Sequence, residues 1–89
     1  MMSRIANWSK EDEKKWNYKA RGYKGFLKIR KINSRFGKWQ VVCKVIKPTD
    51  VGYSSSGRVV FIRESKEDTI DEAKEIGYRF MREANEKGF

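Results

Sequence analysis

The sequence predicts an α+β fold in which a three-stranded antiparallel sheet packs on one amphipathic C-terminal helix. Between residues 67 and 85, apolar residues recur at the three-and-four spacing of one helical face. Between residues 26 and 63, segments rich in β-branched and aromatic residues alternate with turn signals, which is typical of strands. At 89 residues the chain has room for a single domain.

The N-terminal segment, residues 1–22, is predicted as an arm or a short helix preceding a single β-β-β-α domain over residues 23–89. Ser9 suits a helix N-cap, and acidic residues follow it at 11–13, where they favour the positive end of a helix dipole. Apolar residues are few in this segment. The pattern predicts a short helix from 10 to 20.

Three segments are predicted as strands: Phe26–Ile32, Trp39–Ile46 and Arg58–Arg63. The first two form a hairpin, because residues 33–37 (Asn-Ser-Arg-Phe-Gly) read as a turn. Residues 47–57 contain the only proline and a run of three serines flanked by glycines, which predicts a long mobile loop.

The C-terminal helix is predicted from Glu67 to about Asn85. Its apolar stripe consists of Ile70, Ala73, Ile76, Phe80, Met81 and Ala84. Gly77 interrupts this stripe at a cost of about 1 kcal/mol relative to alanine, which indicates a close approach to the sheet. The helix is interpreted as a cover for the core without a chemical role.

The composition excludes several function classes. No apolar run approaches the ~20 residues that span a bilayer, and the first residues lack the apolar stretch of a secretory signal. The single cysteine, Cys43, cannot form an internal disulfide, which predicts a cytoplasmic location. Without histidine, the usual zinc clusters and catalytic triads cannot be built. We therefore expect no enzymatic activity, no cofactor, no metal and no membrane partner.

The charge is unevenly distributed along the chain. The net charge is +9, of which residues 1–24 contribute +4, residues 25–65 contribute +7 and residues 66–89 contribute −2. A domain with one basic side and one neutral-to-acidic side has the electrostatic character of a polyanion binder. The sequence therefore favours a nucleic-acid partner, and double-stranded DNA in particular.

Alternation along the strands indicates which basic residues face the partner. If Leu27 and Ile29 face the helix, Lys28 and Arg30 point to the opposite side. The same reasoning assigns to that exposed face Gln40, Lys44 and Arg58, with Arg35 and Lys38 at the hairpin end. The candidate nucleic-acid contacts are Lys24, Lys28, Arg30, Arg35, Lys38, Lys44, Arg58 and Arg63.

Four short motifs resemble the DNA-binding domain of plant ethylene-response factors: Tyr23-Lys-Gly25, Gly37-Lys-Trp-Gln-Val-Val-Cys-Lys44, Arg58-Val-Val-Phe61 and Thr69-Ile-Asp-Glu-Ala-Lys-Glu-Ile76. The same layout of three strands and a helix occurs in arm-binding domains of tyrosine recombinases and in accessory domains of phage-borne homing endonucleases. The resemblance covers roughly residues 23–84. It implies a sheet that enters the major groove, a helix packed behind it, and a phage or mobile-element context.

Carried over residue by residue, the resemblance implies that Lys24, Lys44 and Arg58 take the places of basic residues in the family pattern. Gly25 takes the place of its glycine. Val42 and Val60 depart from the pattern, because the plant domains have a contacting glutamate and a contacting tryptophan there. The resemblance therefore implies a DNA-binding sheet without the base readout of the plant factors.

The supposed DNA face is partly apolar, since alternation also assigns to it Val42, Ile46, Val60 and Ile62. Such a patch normally marks an interface. Three explanations for these apolar residues remain open. The N-terminal segment, with Trp8 and Trp16, folds across the face; two copies pair through it; or the apolar residues contact thymine methyl groups or stacked bases.

Two other functions compete with DNA binding. The helix-strand-strand-strand-helix order also resembles the double-stranded RNA-binding domain, although the acidic start of the C-terminal helix departs from the lysine cluster of that family. Alternatively, the basic patch belongs to a protein-interaction module or inhibitor that docks on an acidic surface. The sequence is compatible with a monomer or with a homodimer formed through the apolar part of the sheet.

Overall fold

A computed structural model describes residues 5–35, 37–48 and 57–88 of the chain. Within these ranges the chain forms one five-stranded antiparallel sheet, with the strands in sequence order, and a C-terminal helix. The elements are β1 (Trp8–Asp12), β2 (Lys15–Ala20), β3 (Tyr23–Ser34), β4 (Gly37–Pro48), β5 (Gly57–Glu67) and α1 (Ile70–Glu86). The α+β class is as predicted, but the prediction of a three-stranded sheet is wrong.

The two additional strands come from the N-terminal segment, where the predicted helix is also wrong. Residues 10–20 instead form β1, a tight turn and β2. Asp12 ends β1 and supports the turn that follows, since the backbone N–H of Lys14 donates to Oδ1 of Asp12 at 2.7 Å. Aspartate stabilises turns by this kind of contact. Trp16 and Tyr18, two residues apart, are both buried, which is strand and not helix periodicity.

A two-residue turn joins β2 to β3 and makes the N-terminal segment part of the sheet. Arg21 and Gly22 have positive φ angles of 50° and 83°. Positive φ at both central residues is the requirement of the hairpin turn that matches the strand twist. Lys15 to Ala20 consequently pair along β3 from Lys28 to Tyr23.

The three predicted strands lie within β3, β4 and β5, and each observed strand is longer at both ends. Within the predicted loop over residues 47–57, residues 49–56 lie outside the described residues, as does Phe36 of the predicted turn.

The core lies between α1 and one face of the sheet, which we call the covered face. Its buried residues are Trp8, Trp16, Tyr18, Leu27, Ile29, Val41, Cys43, Val45, Phe61, Ala73, Met81 and Ala84. The close approach predicted at Gly77 is confirmed, because a Cβ there would lie 2.9 Å from Cδ2 of Leu27. No helix in the described ranges is long and apolar enough to cross a bilayer.

Trp8 and Trp16 belong to the covered face. The ring of Trp16 meets that of Tyr78 on the helix edge to face at 5.7 Å, and Trp8 lies 5.0 Å from Tyr18. The N-terminal strands therefore extend the core sideways. They do not fold across the opposite face. The prediction that the N-terminal segment covers the apolar residues of that face is therefore wrong.

A β-bulge in β5 changes which residues share a face. The pairing passes from Val45 opposite Phe61 directly to Ile46 opposite Val59, which leaves Val60 without a partner. Val60 packs against the core beside Phe61. Val59, and not Val60, therefore lies on the face opposite the helix, contrary to simple alternation.

Candidate nucleic-acid interface

The sheet face opposite α1 is not covered by any described element, and we call it the open face. Its residues form rows across strands β2 to β5, as the pairing register shows. The rows are Lys19, Lys24, Ile46 and Val59; then Asn17, Phe26, Lys44 and Ile62; then Lys15, Lys28, Val42 and Glu64; and finally Arg30, Gln40 and Lys66.

Lysines stand directly opposite lysines on β2 and β3. Lys15 pairs with Lys28, and Lys19 pairs with Lys24. Like charges in directly opposed positions of an antiparallel pair destabilise the sheet. Lys44 on β4 and Lys66 on β5 add further positive charge, whereas Glu64 is the acidic residue in these rows. The face thus concentrates positive charge at a cost in stability.

Most of these lysines have no acidic partner among the residues that the structure describes. Among the described residues no ion pair involves Lys19, Lys24, Lys28, Lys44 or Lys66. Nζ of Lys15 lies 3.9 Å from Oε1 of Glu11, a contact between two exposed side chains that contributes little. The charges of the open face are therefore available to a partner.

Arg30 is held in place by a chain of hydrogen bonds that crosses three strands. Nε of Arg30 donates to Oε1 of Gln40 at 3.0 Å, and Nε2 of Gln40 donates to Oε1 of Glu64 at 2.6 Å. Nearby, Nζ of Lys28 lies 5.5 Å from the ring centre of Phe26. These contacts orient cationic groups on the exposed surface without neutralising them by a direct ion pair.

On the covered side, Arg63 and Lys74 are engaged by carboxylates. Arg63 donates to Oε1 of Glu83 through Nε at 3.1 Å and Nη2 at 2.7 Å. Glu13 accepts from Nζ of Lys74 at 2.9 Å and of Lys10 at 3.3 Å. The hydrogen bond from Lys74, followed by that from Lys10, lowers the pKa of Glu13, and the same contact with Glu13 raises the pKa of Lys74.

The structure brings together Lys24, Lys28, Arg30 and Lys44 on the open face. Arg35 and Lys38 are exposed at the β3–β4 end of the sheet.

Two predicted site residues lie elsewhere. Arg58 stands opposite Lys47, two residues beyond buried Val45, so the register assigns it to the covered side. Arg63 stands opposite buried Cys43 and is bound by Glu83. The bulge accounts for Arg58, since alternation from Phe61 assumes an unbroken strand.

Sequence reasoning missed Lys15, Lys19 and Lys66. The first two alternate with Trp16 and Tyr18, a period-two signal that was overridden by the capping signal at Ser9. Lys66 follows Ile62 and Glu64 at strand spacing, but the predicted strand ended at 63.

Two observations on the described residues concern metal binding and the reactivity of the cysteine. They contain no group of three or more cysteine and carboxylate side chains placed to hold a metal. Burial raises the pKa of the Cys43 thiol to about 12, so that it stays protonated near neutral pH and is a poor nucleophile.

No protein-family model matches the chain, and neither a curated protein nor a solved structure matches it. The function is therefore argued from the geometry of the open face.

Proposed function

We propose that this chain is a small DNA-binding protein that holds duplex DNA on its open face. The observation that supports the proposal most directly is the opposition of Lys15 to Lys28 and of Lys19 to Lys24. Such pairs destabilise the fold, because the two lysines repel each other. A bound polyanion attracts both lysines and compensates for this repulsion. Electrostatic attraction of this kind supplies most of the affinity of proteins for nucleic acid.

The helix side supports an orientation with the open face toward the DNA. In α1 the acidic residues outnumber the basic ones, and Asp71 and Glu72 occupy its first turn. The open face is therefore positive, whereas the helix on the other side of the sheet carries a net negative charge. A DNA duplex approaching from the helix side meets no comparable attraction.

Duplex RNA is the weaker candidate. The resemblance to the double-stranded RNA-binding domain required a helix before the strands, and residues 10–20 are strands instead. A face-to-face homodimer is disfavoured as well, because it would set the lysines of one open face against those of another.

The test of the proposal is a titration of labelled duplex DNA, duplex RNA and single-stranded DNA, followed by anisotropy at several salt concentrations. We expect the tightest binding to duplex DNA. Log affinity should fall with log salt at a slope of about −4.5 to −6.3, because we expect about five to seven phosphates to be neutralised. Weak binding of all three ligands with a shallow slope would instead favour a protein-interaction module.

Two double charge-reversal variants test which side of the protein binds DNA. Lys28→Glu with Lys44→Glu should abolish DNA binding, because it places negative charge in the centre of the open face. Arg79→Glu with Arg82→Glu, on exposed positions of α1, makes the same change in net charge and should weaken binding only slightly. Circular dichroism should be unchanged in both. Equal losses would show that net charge alone matters, and unchanged affinity in the first variant would remove the open face from the proposal.

A further inference from the structure

The open face also carries an aliphatic patch, made of Val42, Ile46, Val59 and Ile62. All four residues lie on β4 and β5, with Ile46 directly opposite Val59 and Ile62 opposite Lys44. Val59 and Ile62 are the large hydrophobic residues exposed in the described part of the chain, at 45% and 50% of their surface. Contiguous exposed apolar surface on a small protein indicates an interaction site.

The patch and the opposed lysine pairs occupy different halves of the same face. The opposed lysine pairs lie on β2 and β3, and the patch lies on the next two strands. Neighbouring strands are about 4.8 Å apart, so the β2 lysines and the β5 aliphatic residues are separated by roughly 14 Å across the sheet. The partner must therefore present anionic groups and apolar groups at about that separation.

A DNA major groove has this arrangement. Its floor carries the C5-methyl groups of thymine, and phosphates line both sides of a groove about 12 Å wide. That width admits a two-stranded β-ribbon but not a five-stranded sheet. The pair β4 and β5 is a ribbon of this kind at one side of the sheet, while β2 and β3 remain outside the groove.

We propose that β4 and β5 enter the major groove and that the aliphatic patch contacts thymine methyl groups, while the lysines of β2 and β3 contact the adjacent phosphate backbone. The protein then prefers duplexes that present thymines to the patch. This inference rests on the proposed function, since it requires that duplex DNA be the ligand of the open face.

The experiment compares two duplexes that are identical except that one has thymine and the other has deoxyuridine at the same positions. This change removes the methyl groups and leaves charge and base pairing intact. Each methyl group that is contacted should contribute about threefold to fourfold in affinity. We therefore expect the thymine duplex to bind about three- to tenfold more tightly. The salt slope should be the same for both, because the phosphates are identical.

Val59→Thr with Ile62→Thr tests whether the patch is responsible. Threonine keeps the β-branched shape that strands favour and replaces a methyl or larger apolar group by a hydroxyl. This variant should bind both duplexes equally, with the salt slope of the unaltered protein. Lys24→Gln is the control with the opposite signature: weaker binding to both duplexes, an unchanged preference for thymine, and a slope reduced by about 1.

Several outcomes would overturn the inference. Equal affinity for the two duplexes with a steep salt slope refutes the methyl contact and leaves DNA binding intact. A preference that survives in the threonine variant shows that the methyl groups are read elsewhere. Equal affinities combined with patch-dependent binding to phosphatidylserine vesicles would assign the patch to a lipid surface. The absence of salt-dependent duplex binding removes the proposed function itself.

Discussion

The two faces of this sheet are built from alternate residues of the same strands, yet they follow opposite rules. On the covered face, Leu27 and Ile29 are buried under α1, and Arg63 is bound by a carboxylate. On the open face, lysine stands opposite lysine, and Val59 and Ile62 are left exposed. Those residues of the covered face are satisfied within the chain, whereas the lysines and aliphatic residues of the open face are at least partly exposed.

This difference shows how a small domain divides stability and function. A chain of this length builds one modest core, and here the core uses one side of each strand. The other side is free to hold charges that oppose each other. The stabilisation from apolar burial on the covered face offsets the repulsion on the open one.

The largest expected effect is the difference in unfolding free energy between isoleucine-to-alanine variants on the two faces. Ile29→Ala on the covered face should lower the free energy of unfolding by about 2–5 kcal/mol, because the side chain is only 3% exposed. Ile62→Ala on the open face should cost less than about 1 kcal/mol. Urea denaturation of both variants measures the contrast. Similar losses would mean that the open face is packed in solution, and the comparison between the faces would fail.

A smaller effect is expected where the covering helix begins. Oγ1 of Thr69 accepts a hydrogen bond from the backbone N–H of Glu72 at 3.2 Å. Thr69→Ala should therefore destabilise the protein by about 1 kcal/mol, while Thr69→Ser, which keeps the hydroxyl, should be nearly neutral. DNA affinity at temperatures below the unfolding transition should not change in either variant. A loss of affinity would show that the open face depends on the helix terminus.

The smallest effect concerns pH and the contact between the β1–β2 turn and α1. Because the pKa of Glu13 is lowered in the folded protein, its contribution to stability is present at neutral pH and is lost as the pH falls through that lowered pKa. The melting temperature of Glu13→Gln should thus lie slightly below that of the unaltered protein at pH 7, and the two should converge as the pH falls through the lowered pKa of Glu13.

The control for this measurement is Glu75→Gln, which removes an exposed carboxylate that has no ion pair among the described residues. Its melting curve should show no comparable convergence in acid. A constant difference between Glu13→Gln and the unaltered protein across the whole pH range would remove the Lys74 contact as its cause.

Much of the region from β3 to α1 could be predicted from local pattern. The apolar stripe predicts a helix from Glu67 to about Asn85, which overlaps most of α1 but starts too early, because Glu67 still belongs to β5. Gly77 correctly predicts the contact of the helix with the sheet. In β3, alternation correctly separates Leu27 and Ile29 from Lys28 and Arg30. The reason is that a helix stripe and a half-buried strand each repeat their pattern within a few residues.

The N-terminal strands were not predicted, because local signals there compete. Ser9 and the acidic residues at 11–13 are typical of a helix start, whereas Trp16 and Tyr18 have strand spacing. Pairing with β3 and burial beneath Tyr78 resolve the conflict in favour of the strand. Such contacts join residues far apart in the chain, and no short window of sequence contains them.

The helix stripe, the strand alternation and the excess of positive charge are properties of neighbouring residues, and the amino-acid sequence is enough to establish them. The opposition of Lys15 to Lys28, the bulge at Val60 and the separation of the aliphatic patch from the opposed lysine pairs exist only once strands are paired. Register is a relation between two segments, set jointly by their turns and by the core beneath them, so only the tertiary structure decides which side chains share a surface.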